Sequence, residues 1–123
     1  MSSLVIFSPD VQRLATFYEV VLGARPMGES SSDIRLVNDR EEVLIHSMPR
    51  QVARDIAIDT PPAPRDAASI KPVFEVESLA TALDGVRTTG GVVTDRTFRL
   101  DGLVRHDVLD PDGNVLQLRS RTA

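Results

Sequence analysis

The sequence predicts an α+β domain of two tandem βαβββ modules, which together form one open, cup-shaped mixed sheet with helices on its convex face. Three observations predict it. A shift of 68 residues (79 minus 11) carries the apolar helix positions Val11, Leu14, Ala15 and Tyr18 onto Leu79, Ala82, Leu83 and Val86. The glycine that ends the helix repeats at the same shift, Gly23 falling on Gly91. Each helix is preceded by one short apolar run and followed by others with strand character. Such a period is longer than the roughly 20–50 residues of solenoid repeats. It fits duplication of a half-domain.

The first element is Leu4-Val5-Ile6-Phe7, an apolar run with a β-branched centre, read as a buried strand. Pro9 ends it, and Ser8 or Asp10 can cap the helix that follows. Apolar residues at Val11, Leu14, Ala15, Tyr18, Val21 and Leu22 follow the spacing of a helix with one buried face. Gly23 stops it. Ala24 to Glu29 lead to a turn at Ser30-Ser31-Ser32, then to strands at Ile34 to Val37 and Val43 to Met48. Asn38-Asp39-Arg40-Glu41 joins these two as a hairpin.

Residues 49 to 69 carry Pro49, Pro61, Pro62 and Pro64 and read as a linker, with a short extended piece at Ile56-Ala57-Ile58. The pattern then restarts: a strand at Val73 to Val76, a helix through Leu79 and Val86, and a stop at Gly90-Gly91. Strands follow at Val92 to Asp95, Leu103 to Leu109 and Val115 to Arg119. The chain of 123 residues is one domain by length, with module 1 at roughly 1–48, the linker at 49–69 and module 2 at 70–123.

Composition excludes several function classes. Without cysteine there is no disulfide, thiol nucleophile, iron–sulfur cluster or thiolate-held zinc. Two histidines, His46 and His106, cannot make a three-histidine metal site. A net charge of −4, no tryptophan and one tyrosine argue against nucleic-acid binding. No signal peptide or membrane-length apolar run is visible, so the expected location is the cytoplasm and no membrane partner is expected. Thirteen of the fourteen basic residues are arginine; Lys71 is the only lysine.

The turn Asp110-Pro111-Asp112-Gly113 fixes the register of the last hairpin. Proline suits the first central position of a type I turn, and Gly113 supplies the left-handed residue of the loop. Counting outward pairs Leu109 with Val115, Val108 with Leu116, Asp107 with Gln117, His106 with Leu118 and Arg105 with Arg119. Alternation then puts Val104, His106, Val108, Leu116 and Leu118 under the helices. Arg105, Asp107, Leu109, Val115, Gln117 and Arg119 face the cup.

Three stretches give the chain a family resemblance. Ser8-Pro9-Asp10-Val11 is followed by Phe17-Tyr18 and Val21-Leu22-Gly23; Gly90-Gly91 follows the second helix; and Asp110-Pro111-Asp112-Gly113-Asn114 leads into Val115-Leu116-Gln117-Leu118. In this order and spacing the sequence resembles the vicinal oxygen chelate superfamily, which holds glyoxalase I, bleomycin-resistance proteins, extradiol dioxygenases, fosfomycin-inactivating transferases and methylmalonyl-CoA epimerase. The resemblance implies metal ligands at the start of each module's first strand and in the middle of each module's last strand. Here those positions fall on Ser3, on Lys71, on Gln117, and on Ile45 or His46. If the first hairpin copies the second, Ile45 matches Gln117 and His46 faces the helices with Ile34, Leu36 and Leu44. A slip of one residue puts His46 in the cup instead. The copied register is preferred, since it leaves a cleaner apolar outer face.

The ligand positions fit a metal poorly. A protonated lysine has no lone pair to give, serine is a weak ligand, and His46 with Gln117 is short of a catalytic zinc or iron set. No cofactor is therefore expected. The cup keeps apolar residues (Val5, Phe7, Val37, Val43, Val73) beside the polar Arg35, Lys71, Glu75, Arg105, Asp107, Gln117 and Arg119. An apolar hollow with a few convergent polar groups is the common form of a small-molecule site. The ligand-binding candidates are Lys71, Arg105, Asp107, Gln117, Phe7 and Arg35.

Two functions follow. One is a protein similar to bleomycin-resistance proteins that binds or sequesters an antibiotic or metabolite without metal. The alternative is a metal-dependent lyase, isomerase or dioxygenase with the unusual ligand set His46, Asp107 and Gln117, which would need a divalent cation. A metal-free enzyme using Lys71 as acid, base or electrostatic clamp is a third reading. The resemblance implies a homodimer.

Overall fold

A computed structural model describes residues 1–28, 32–48, 60–64 and 70–121. The chain divides into two compact units, Met1–Ala57 and Ile58–Ala123. Among the described residues, each unit carries one four-stranded mixed sheet and one helix, in the order βαβββ.

The first unit contains β1 (Ser2–Ser8), α1 (Val11–Leu22), β2 (Arg25–Pro26), β3 (Asp33–Val37) and β4 (Glu41–Ser47). Its sheet order is β1-β4-β3-β2. Strand β1 pairs with β4 in parallel, which requires a crossover, and α1 supplies it. The hairpin β3–β4 is antiparallel, with Ile34 opposite Ile45 and Leu36 opposite Val43. Asp10 is the cap of α1: its side chain accepts from the Arg13 N–H at 3.1 Å, while Ser8 Oγ accepts from the N–H of Asp10 at 3.0 Å. Gly23 ends the helix at φ +62°, where a Cβ would be strained, and Ala24 N–H returns to the Glu19 carbonyl at 3.1 Å. Leu14, Phe17 and Tyr18 are almost wholly buried. Each such side chain contributes about 1.5–3 kcal/mol of transfer free energy.

The second unit contains β5 (Val73–Glu75), α2 (Leu79–Thr88), β6 (Val92–Leu100), β7 (Leu103–Leu109) and β8 (Val115–Ser120). Its sheet order is β5-β8-β7-β6, with β5–β8 parallel and the other pairs antiparallel. All five β7–β8 pairs expected from the Asp-Pro-Asp-Gly turn occur. Gly113 takes φ +86°, and Asp110 Oδ1 accepts from the N–H groups of Asp112 and Asn114 at 3.0 and 2.9 Å. Asp110 to Gly113 are all buried.

Three sequence expectations need correction here. The stop of α2 is Gly90, not Gly91: Gly90 takes φ +88° and Gly91 N–H bonds the Val86 carbonyl at 3.0 Å. This is the bond Ala24 makes in the first unit, so the glycine stop comes one residue early relative to the 68-residue shift. Strand β6 runs on to Leu100, past the expected end at Asp95. As an edge strand it is exposed from Asp95 onward, Phe98 and Leu100 included. In the first hairpin, Val43 and Ile45 lie on the buried face with Ile34 and Leu36, so Val43 leaves the predicted hollow. The extended piece expected at Ile56-Ala57-Ile58 and the serines at Ser30 and Ser31 lie outside the described residues. Among the described residues, no helix is long and apolar enough to cross a membrane.

Candidate functional site

In the second unit the sheet face turned away from α2 collects the polar residues of β7 and β8. Period-two alternation does this: Phe74, Val108, Leu116 and Leu118 bury one face, which leaves Val73, Arg105, Asp107 and Gln117 on the other. Asp107 sits opposite Gln117, and Gln117 sits opposite Val73. The Gln117 N–H donates to the Pro72 carbonyl at 2.9 Å, which fixes the chain just after Lys71.

Asp107 is the centre of the cluster and its side chain is 4% exposed. Its Oδ2 accepts from Lys71 Nζ at 2.9 Å and its Oδ1 from Gln117 Nε2 at 3.1 Å. Arg96 Nε stands 3.6 Å from Oδ2, an ion pair longer than a hydrogen bond. Gln117 Oε1 accepts from Arg105 Nη1 at 3.0 Å, so both ends of that amide are engaged. Arg105 Nε is buried with no hydrogen-bond partner. The Thr94 hydroxyl donates to the Asp107 carbonyl at 2.6 Å, beside the bulge where the β6–β7 register shifts.

A hollow of about 460 Å³ opens beside Lys71 and Asp107. Pro64, Ile70, Leu109 and Val115 form its apolar wall, and Thr94 and Arg96 complete the polar side. That volume lies within the roughly 300–1,000 Å³ of small-molecule sites. Four of the six expected ligand residues, Lys71, Arg105, Asp107 and Gln117, thus form one hydrogen-bonded chain. Arg96, Thr94, Ile70 and Pro64 were not expected. Arg96 escaped because it lies within the bulge of an edge strand, between Val93 and Thr97, where strand alternation carries no signal.

The other two candidates, Phe7 and Arg35, belong to the first unit and lie on the sheet face turned away from α1. There Arg35 reaches Glu42 Oε2 through Nε at 2.8 Å and Nη2 at 2.7 Å. Ser3 Oγ donates to Glu42 Oε1 at 3.0 Å. The bond from Arg35, then that from Ser3, hold the Glu42 carboxyl below the usual carboxylate range. Phe7 stacks on His46, ring centroids 5.6 Å apart. His46 Nδ1 bonds Asp33 Oδ1.

His46 therefore shares the open face with Phe7 and Arg35, and the preferred register that turned it toward the helix is corrected. The reason is the pairing: Phe7 opposes His46, while Ile6 opposes Ile45 on the buried face. His106 shares the helix-side face with Leu118, apart from the Asp107 cluster, and its Nε2 meets the Thr94 carbonyl.

Register also relocates the fourth implied ligand position. Val73, two residues after Lys71, pairs with Gln117; Val5, two residues after Ser3, pairs with Leu44. Leu44, neither Ile45 nor His46, is the counterpart of Gln117. The four implied positions are thus Ser3, Leu44, Lys71 and Gln117. One has no donor atom, one is an ammonium bound to a carboxylate, and the Gln117 oxygen is taken by Arg105. These residues do not fit a divalent cation. Among the described residues, no group of three or more His, Asp or Glu side chains could hold a metal ion.

Comparison with known proteins agrees with this architecture. The family model for the Glyoxalase/Bleomycin resistance protein/Dioxygenase superfamily matches residues 1–118. Among solved structures, a glyoxalase/bleomycin resistance protein/dioxygenase family enzyme from Burkholderia phytofirmans is similar with TM-score 0.72 at 15% identity, covering 96% of this chain and 95% of that one. A glyoxalase-related enzyme from Fulvimarina pelagi gives TM-score 0.70 at 17% identity, over 98% and 86% of the two chains. The fosfomycin resistance protein FosX from Listeria monocytogenes, solved with Mn(II) and sulfate, gives TM-score 0.70 at 13% identity, over 99% and 90%. A search of curated proteins finds no match.

Proposed function

The chain belongs to the glyoxalase/bleomycin resistance protein/dioxygenase superfamily, and we propose that within it this protein binds or sequesters a small molecule, an antibiotic or a metabolite, without the family's metal. One observation carries the reading. Lys71, at an implied ligand position, is bound to the buried Asp107 beside a hollow of about 460 Å³. The fixed cation and its carboxylate supply polar anchors, and the apolar wall supplies burial for the rest of a ligand. A thermal-shift panel of antibiotics and aromatic metabolites on chelator-treated protein tests it. Stabilisation by at least one compound in the presence of chelator is the expected result. Stabilisation that depends on added metal overturns it.

A metal-dependent lyase, isomerase or dioxygenase is the second reading. It is favoured by Gln117 and Asp107 standing side by side on the open face, and by the structural likeness to a FosX solved with Mn(II). Bound metal in protein purified without chelators, with activity rescued by nickel, zinc, iron or manganese, would establish it.

A further inference from the structure

We propose that the hollow of the second unit selects a monoanion with an apolar body, in chemical class an aryl or alkyl carboxylate. The inference rests on the reading that this hollow binds small molecules, and it names what they must carry. Among the described residues, the charged groups lining it are Lys71, Arg96 and Asp107, two positive and one negative. One surplus positive charge is left for a ligand to neutralise. The negative member cannot swing away, because Asp107 is buried and held at both oxygens by Lys71 and Gln117.

The positive members can turn to a ligand. An ammonium has three donors, and the Lys71 side chain, 36% exposed, has one bonded to Asp107. The Arg96 side chain is 71% exposed, and its contact to Asp107, at 3.6 Å, is too long for a hydrogen bond. A guanidinium fork matches the two oxygens of a carboxylate.

Other charge states fit less well. A dianion would bring one negative charge more than the lining offsets, close to Asp107. A cation would face Lys71 and Arg96. A neutral ligand would gain the wall and leave the surplus charge unanswered. Leu109 and Val115 provide the apolar surface that an aryl or alkyl body would cover.

The test uses four phenyl compounds, benzoate, benzamide, benzylamine and phenylphosphonate, at a pH above the second ionisation of the phosphonate, where it is a dianion. Affinity is read by titration, and the site by NMR shifts of the Leu109 and Val115 methyl groups. Benzoate is expected to bind about tenfold more tightly than each of the others, a difference of about 1.4 kcal/mol, and to move those methyls. Arg96→Gln and Lys71→Met should each weaken benzoate by about tenfold and weaken benzamide by less. If Lys71→Met does not fold, the exposed Arg96→Gln decides alone, and unchanged benzoate affinity there overturns the proposal. Benzamide, benzylamine or phenylphosphonate binding at these methyls as tightly as benzoate overturns the charge selection but keeps the hollow as a binding site. If no probe moves them, the binding-site reading falls and the carboxylate proposal falls with it.

Discussion

Lys71 and Asp107 bond across an intervening strand. Lys71 leads into β5, Asp107 lies on β7, and β8 runs between them in the sheet, yet Lys71 Nζ is 2.9 Å from Asp107 Oδ2. Gln117, on β8, fills the gap and donates to the other oxygen of the same carboxylate. The three side chains make a transverse tie over the open face of the second sheet. A cation built into the chain stands at one of the positions where relatives are expected to bring a metal ligand.

The tie is asymmetric, and so should be its mutants. Asp107 is buried, whereas the Lys71 side chain is 36% exposed. Asp107→Ala strands the Gln117 amide and the Lys71 ammonium, and should cost about 2 kcal/mol. Lys71→Ala leaves a buried carboxylate with only its bond from Gln117 and the longer Arg96 contact, and should cost more, about 3 kcal/mol. Urea unfolding of both variants checks this. A smaller loss in Lys71→Ala would mean that the buried carboxylate does not depend on Lys71.

Divalent metal should not stabilise the protein. A cation bound to the folded state at one hundred times its Kd adds about 2.7 kcal/mol, which moves the melting temperature of a chain of this size by several degrees. Chelator-treated protein titrated with manganese, nickel, zinc or iron should keep its melting temperature. A rise of several degrees with one of them would give the site to the metal-dependent enzyme instead.

Glu42 ties the open face of the first unit to acid. Its folded carboxyl sits below the ordinary value, held first by Arg35 and then by Ser3. A depressed folded pKa stabilises above the unfolded value, and this contribution is lost as pH falls through the folded one. In Arg35→Ala the Glu42 titration, followed by carboxyl carbon NMR, should move up toward the ordinary range. An unmoved midpoint would show that Arg35 does not hold it.

The two hairpins show why one register could be read from the sequence and the other could not. Asp110-Pro111-Asp112-Gly113 declares a turn type, so counting outward fixed Asp107 opposite Gln117 and with it half of the candidate site. In the first hairpin Val43, Leu44 and Ile45 are three apolar residues in a row, and period two cannot choose a face among them. The copied register put Ile45 where Leu44 stands, and turned His46 the wrong way. Arg96 was hidden differently: it lies on an edge strand, and a bulge between Val93 and Thr97 changes which residues meet β7.

The helix stops give the last prediction, and they separate two adjacent glycines. Gly23 and Gly90 both take positive φ, +62° and +88°. A Cβ on Gly23 would meet nothing within 4 Å, and one on Gly90 would lie 3.7 Å from Pro111 Cγ, an ordinary contact. Their cost as alanine is therefore conformational, about 1–2 kcal/mol each, and asparagine should recover part of it at Gly23. Gly91 is not among the positive-φ glycines, so Gly91→Ala should cost far less than Gly90→Ala. Thermal unfolding of the two alanine variants decides where α2 ends. A larger loss at Gly91 would restore the strict 68-residue correspondence with Gly23.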